Sequence, residues 1–320
     1  MSSTFKTHFV KKIDTVNGVR VEIIIPTLNE EGTIAELLRS IRSQALPEVS
    51  TVVVDGGSQD RTIEICEKER VRIIKQKGKG KGNAMIEAVE QTDADIVVFI
   101  DGDGTYSISD LELLIEPILI GQADMVVGSR VLGKKEKGSI PAFNSFGNKL
   151  FNNTINFFMK SHLTDSLSGY RAVRKDVFRE LVLFSTDFEI EVEMTLEALI
   201  KGYRVIEVPV KYGTRKGTTK LHPLHDGIKI ARTLLFIIMN SNPLKFFGIM
   251  SVLFFIAGLY PATQVVYEKI LAGHIITLHS VVFTSLLFMA AILSLIAGLV
   301  SELIVRSRRR LEYLVSKKSW

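Results

Sequence analysis

Asp101 and Asp103 stand two residues apart at the end of an apolar run, Ile96 to Ile100, in the stretch IVVFIDGDGTY. The run is mostly β-branched and suits a strand buried on both faces of a parallel sheet. Open α/β sheets hold their ligands at the carboxyl ends of such strands. Two carboxylates in that place suit a hard divalent cation, Mg²⁺ or Mn²⁺, with a diphosphate supplying further oxygens. Gly102 and Gly104 let a ligand approach the backbone closely. The competing reading of this stretch alone is an Asp/Gly-rich surface turn. Two more strand ends carry acids, however: Glu30 lies beyond the first strand and Asp55 at the end of the second. Parallel strands deliver those ends to one edge of a sheet, so acids far apart in sequence converge there.

The elements that must position these residues follow from periodicity. Strands are expected at Val21 to Ile25, Val49 to Val54, Val71 to Lys75, Ile96 to Ile100 and Met125 to Gly128. Helices are expected at Thr33 to Ser43, Thr62 to Glu69, Ala84 to Gln91 and Asp110 to Leu119. Strand and helix alternating this regularly imply an α/β fold with a mostly parallel sheet and right-handed crossovers. The segment Gly78-Lys79-Gly80-Lys81-Gly82-Asn83 lacks the spacing of a P-loop and its hydroxyl after Lys. It reads as a flexible basic loop, over the site or simply solvated. Residues 142 to 160 read as an amphipathic helix whose Phe146, Leu150, Phe151, Ile155, Phe157 and Phe158 form core. Glu189 and Glu191 open a further helix, where acids favour the N-terminus.

Forty Lys and Arg stand against 35 Asp and Glu, a net charge of +5. Much of the excess flanks apolar C-terminal segments, which points to a membrane surface and not to nucleic acid. A single cysteine, Cys66, excludes an intramolecular disulfide and reads as a small helix residue. Residues 1–19 are polar and aperiodic, without the apolar core of a signal peptide. His225 to Met239 is amphipathic and suited to a membrane interface. Phe246 to Tyr267 and Val281 to Ser301 are free of charge and long enough to cross a bilayer. Lys245 before the first and Arg306, Arg308, Arg309 and Arg310 after the second place both ends in the cytosol by the positive-inside rule. The expected organisation is a lead-in (1–19), a cytosolic α/β domain (20–221), a juxtamembrane helix (222–243), two transmembrane helices (244–305) and a basic tail (306–320).

PTLNEE at Pro26 to Glu31, DGGSQDRT at Asp55 to Thr62, GKGKGNAM at Gly78 to Met85 and DGDGTY at Asp101 to Tyr106 occur in that order. With GSR at Gly128 to Arg130, DSLSGYR at Asp165 to Arg171 and EVPVKYGTRKGTTKL at Glu207 to Leu221, the set resembles the family 2 glycosyltransferases of GT-A fold. Within them it looks like the dolichol-phosphate mannose synthase group, the polyprenyl-phosphate glycosyltransferases. The resemblance implies that Pro26, Leu28, Glu30 and Asp55 hold the nucleotide, with Gly102 against it. It implies that Asp101 and Asp103 face the metal and diphosphate, and that Arg130 holds the lipid phosphate. Arg215 and Lys220 match the basic pair closing over the diphosphate and reacting centre, so Asp103, Arg215 and Lys220 are the expected catalytic groups. The implied partners are a nucleotide-sugar, dolichyl or polyprenyl phosphate and the lipid bilayer, and the implied transfer inverts the anomeric centre.

Three departures shift the expected donor. Thr105 stands where the mannose synthases carry Gln, and the segment FNSFGN ending at Asn148 replaces a further Arg. The Arg-to-Lys spacing in TRKGTTK is one residue short. These favour UDP-GlcNAc or UDP-glucose over GDP-mannose. A processive polysaccharide synthase would add a QxxRW-type motif and more spans, neither of which appears. A catalytically silent membrane scaffold would tolerate loss of the acids, yet Asp55, Asp101 and Asp103 are all present.

Overall fold

Among the described residues seven strands form one mixed sheet in the order β3-β2-β1-β4-β6-β5-β7. They are β1 (Val21–Thr27), β2 (Val49–Asp55), β3 (Arg72–Lys75), β4 (Ile96–Phe99), β5 (Met125–Ser129), β6 (Arg171–Arg174) and β7 (Val205–Pro209). The computed structural model describes residues 18–44, 48–134, 142–214 and 223–318. Most of residues 1–19, and both Arg215 and Lys220, lie outside them. The five expected strands form within two residues of their expected ends. Two more join them: β6 inserts antiparallel between β4 and β5, and β7 pairs parallel with β5. RAVR at β6 is short and flanked by charge, and VIEVP at β7 is only half-buried, so neither carries the long apolar run of a central strand.

The helices of this part are α1 (Ile34–Gln44), α2 (Thr62–Lys68), α3 (Lys81–Glu90), α4 (Leu111–Leu119), α5 (Ala142–Met159), α6 (Lys175–Glu180), α7 (Ile190–Ile200) and α8 (Pro223–Ser241). Strand side chains alternate between two cores, as the pleat demands. Ile23, Ile25, Val53 and Val98 pack with Leu37 of α1 and Leu114 of α4. Ile24, Val52, Val54 and Phe99 pack with Met85 of α3, Phe178 of α6 and Met194 of α7. Each such buried side chain contributes roughly 1.5–3 kcal/mol. Cys66 is fully buried in the first core, and burial pushes its thiol up to about 11, in keeping with a packing role.

α5 corrects one expectation. Of the residues expected in the core Ile155 is buried and Phe151 and Phe158 are half-buried, whereas Leu150 and Phe157 are exposed; Asn148 and Asn152 join Ile155 on the inward face, and the Phe146 side chain lies outside the described residues. The two amides have partners to satisfy there: Asn148 donates to Asp165 (3.0 Å) and Asn152 accepts from the Ser166 N–H (2.8 Å). A buried polar network of this kind outweighs the apolar count of the helix.

The chain divides into two compact units, residues 1–234 and 235–320. The second contains α9 (Pro243–Ala272) and α10 (Leu278–Lys318), both long and apolar enough to cross a membrane and almost wholly exposed along their apolar windows. Small residues let them approach: Gly258 lies against Phe288 and Gly298 against Phe247. Ser251 donates to the Ala291 carbonyl and Ser294 to that of Phe247. Between the helices, the Glu268 carboxylate accepts the Ile276 and Thr277 N–H groups (2.8 and 2.9 Å).

Candidate active site

The ends of β1, β2 and β4 meet at one edge. Thr27 pairs with Asp55, and Gly56 N–H donates to the Thr27 carbonyl (2.9 Å). The Asp55 carboxylate accepts the N–H groups of Gly57 and Ser58, shaping a turn in which Gly57 takes a positive φ of 93°. Pro26 lies one residue inside this edge, and Leu28 lies exposed beside Gly56. Gly102 sits so close to Thr27 that a Cβ would fall 2.8 Å from its methyl and 3.6 Å from Glu30 Cγ. Thr33 ties the strand ends further by donating to the Gly102 carbonyl (2.7 Å). Pro26, Leu28, Glu30, Asp55, Asp101, Gly102 and Asp103 are therefore neighbours.

Asp103 is 8% exposed, and its Oδ1 accepts both the N–H and the hydroxyl of Thr105 (3.1 and 2.6 Å). Asp101 is held differently. Lys81 hydrogen-bonds it and also reaches Glu191 Oε1 at 2.6 Å, with its ammonium 5.9 Å from the Phe188 ring centroid. Burial lowers the affinity of Lys81 for its proton, but the two carboxylates raise it by more, so the ammonium stays charged. The basic loop expected here is thus ordered at Lys81, which opens α3 three residues ahead of the expected helix. Of the two acids expected at α7, Glu191 is buried in this cluster and Glu189 stands at the N-terminal boundary of the helix without a side-chain capping hydrogen bond.

Arg130 stands beyond β5. Its Nε and Nη2 donate to the two oxygens of Asp165, each at 2.8 Å, and its guanidinium lies 5.3 Å from the Tyr212 ring. Burial works against both charges. Arg130 nevertheless holds Asp165 below the usual carboxylate range, and Asp165 holds Arg130 charged. Glu207 of β7 in turn accepts the Thr164 and Asp165 N–H groups (2.7 Å each), and burial raises its own carboxyl. Tyr106 links this side to Asp101's: its hydroxyl accepts the Gly169 N–H, and Gly169 lies directly against Asp101 and Lys81.

Arg171 is the functional-site neighbour that sequence reasoning passed over. Its side chain is fully buried and donates to the carbonyls of Ser166, Ser168 and Glu191 and to the Thr195 hydroxyl. It stitches the 166–169 loop to the first two turns of α7. Only its place at the end of the DSLSGYR motif marked it.

Among the described residues no three His, Cys, Asp or Glu side chains are grouped to hold a metal alone. Asp101 and Asp103 still fit a divalent cation that takes its remaining ligands from substrate. Both are hard oxygen donors, and Asp101 already binds a cationic group in Lys81.

A model of the family described as Glycosyl transferase family 2 matches residues 22–182. Glycosyltransferase AglJ of Haloferax volcanii is 34% identical over 294 residues, 90% of this chain and 94% of its own. The UDP-N-acetylglucosamine–dolichyl-phosphate N-acetylglucosaminyltransferase of Methanococcus voltae is 29% identical, covering 69% of this chain and 97% of its own. A dolichol-phosphate mannosyltransferase of Pyrococcus furiosus is 32% identical, covering 63% and 59%. Among solved structures, glucosyl-3-phosphoglycerate synthase of Mycobacterium tuberculosis, in complex with Mn²⁺, UDP and phosphoglyceric acid, aligns with a TM-score of 0.59 over 73% of this chain and 82% of its own. At 20% identity that likeness is one of fold, the GT-A arrangement.

Proposed function

Because the chain belongs to glycosyl transferase family 2, we propose that it moves a sugar from a nucleotide-sugar to dolichyl or another polyprenyl phosphate at a membrane. One observation carries this reading: Glu30, Asp55, Asp101, Gly102 and Asp103 share a single sheet edge, in a chain with relatives named for transfer to dolichyl phosphate. In this reading Pro26, Leu28, Glu30 and Asp55 hold the nucleotide, with Gly102 against it. Arg130, fixed by Asp165, takes the lipid phosphate. Arg215 and Lys220 add positive charge where it is needed on the departing diphosphate.

A Mg²⁺ or Mn²⁺ ion held by Asp101 and Asp103 would neutralise the departing diphosphate as a Lewis acid. The nucleophile needs positioning rather than deprotonation. A phosphate monoester has a second pKa of about 6 and is largely a dianion near neutral pH. Its oxygen attacks the anomeric carbon as the bond to the diphosphate breaks, which inverts that centre. The favoured donor is UDP-GlcNAc or UDP-glucose over GDP-mannose, on the ground of Thr105. Relatives named for N-acetylglucosamine and for mannose are about equally similar, so the names alone do not choose. α9 and α10 are read as two membrane spans with both chain ends cytosolic, from the Lys and Arg that flank them.

The test supplies the full chain, in detergent, with dolichyl phosphate and radiolabelled UDP-GlcNAc, UDP-glucose or GDP-mannose. Label should pass to the lipid from a UDP-sugar. Transfer from GDP-mannose alone would overturn the donor, and no transfer to any polyprenyl phosphate would overturn the reading. Asp103→Ala should abolish transfer, and a chelator should do so reversibly.

A further inference from the structure

Lys81 is built into its place. The first turn of α3 is clamped by the 185–187 loop: Gly82 N–H donates to the Thr186 carbonyl (2.9 Å). A Cβ on Gly80 would fall 2.2 Å from that oxygen, and one on Gly82 would fall 2.4 Å from the Ser185 oxygen. On the other side, a Cβ on Gly169 would fall 2.7 Å from Asp101 Oδ2 and 2.8 Å from Lys81 Nζ. Glu191, the second carboxylate on the ammonium, is held from behind through its own carbonyl by Arg171 Nη1 (2.8 Å). The side chain of Lys81 is 11% exposed.

An ammonium in hydrogen-bond contact with a carboxylate takes up space that a divalent ion would need for inner-sphere coordination there. It also repels a second cation on the same oxygens. A nucleotide diphosphate reverses the balance, because it brings both negative charge and coordinating oxygens. We propose that Lys81 is a positioning residue that occupies Asp101 in the donor-free enzyme and so makes divalent-cation binding contingent on the diphosphate. The ion then enters with the nucleotide rather than ahead of it. This rests on the reading of Asp101 and Asp103 as the carboxylates that face metal and diphosphate.

The experiment is a Mn²⁺ titration of the full chain in detergent, with free Mn²⁺ read by electron paramagnetic resonance, without nucleotide and with UDP or GDP. Wild type should bind Mn²⁺ weakly alone and more tightly with a nucleoside diphosphate. Lys81→Met should bind it roughly tenfold or more tighter than wild type when no nucleotide is present, since a neighbouring positive charge is gone. Lys81→Arg, which keeps the charge, should behave as wild type. Lys81→Met leaves Glu191 buried without its cation, so Lys81→Met/Glu191→Gln provides a second variant free of that fault. The double variant restores the wild-type total charge yet still lacks the ammonium on Asp101, and should still bind Mn²⁺ more tightly than wild type. Equal nucleotide-free affinity of wild type and Lys81→Met, or a return to wild-type affinity in the double variant, overturns the role given to Lys81. Failure of wild type to bind Mn²⁺ even with UDP or GDP overturns the metal–diphosphate reading as well.

Discussion

Arg130 and Asp165 form a buried pair whose value lies in geometry as much as in charge. Asp165→Asn would leave a nearly buried guanidinium without its counter-charge, a fault that typically costs about 3–5 kcal/mol. Because Arg130 holds Asp165 below its ordinary range, that stabilisation is present above the unfolded value of about 4 and is lost as pH falls through the lower folded value. Denaturation of wild type and Asp165→Asn should therefore show a gap at pH 7 that closes progressively below about pH 4. Glu189 and Glu191 make a second contrast. Glu189→Gln should leave turnover nearly unchanged. Glu191→Gln weakens the hold on Lys81 and should lower turnover about tenfold, the scale of one charge-assisted hydrogen bond. A loss of ~1,000-fold in a folded variant that still binds both substrates would mark Glu191 as a general base and defeat the dianion mechanism. Residues that end β-branched runs, such as Asp55, Asp101 and Asp103, were legible in the sequence because the run announces the strand end. Lys81 was not, since one Lys in GKGKG looks like another until α3 and Glu191 are placed. Arg171 was not, because nothing local says that four acceptors from two segments await it.

The elements that hold the site do so partly through glycines, and two of these should behave oppositely when changed. At Gly82 an added Cβ meets backbone, the Ser185 carbonyl, so Gly82→Ala must shift a main chain and should cost about 1–3 kcal/mol with a fall in Tm. At Gly169 the nearest atoms an added Cβ meets are the ends of the Asp101 and Lys81 side chains and not backbone, so the strain falls on the site. Gly169→Ala should therefore melt close to wild type and lose most of its transfer activity. Thermal melts run beside the radiolabel assay separate the two outcomes. Five strands were readable from their apolar runs, and a mostly parallel sheet followed from their alternation with helices. β6 was not readable, because it is four residues long and antiparallel and its register is set by β4 and β5 on either side, and neither was the half-buried β7. The inward face of α5 was likewise hidden. Its phenylalanines dominate the pattern, whereas Asp165 and Ser166, distant in sequence, are what turn Asn148 and Asn152 inward.

At the scale of the whole chain, the first compact unit runs to residue 234 and so includes the start of α8. Ile230 and Leu234 are buried, and Lys229 pairs with Asp187 at 3.7 Å. A chain ended after Leu234 should bind its nucleotide-sugar with unchanged affinity by calorimetry and turn over long-chain lipid poorly. A chain ended at Leu221 forgoes two buried side chains worth roughly 1.5–3 kcal/mol each and should melt lower. The strand order carries one more consequence, for the chain as it is made. β1, β2 and β3 can pair as soon as they emerge, but β5 has no neighbour until β6 has been synthesised. At ~5–20 residues per second, the stretch of about 45 residues from Ser129 to Arg174 takes on the order of 2–9 s to translate. Throughout that interval MVVGS, an apolar strand with both edges open, waits beside the ribosome, and it is there that a chaperone or an aggregate would first find this protein.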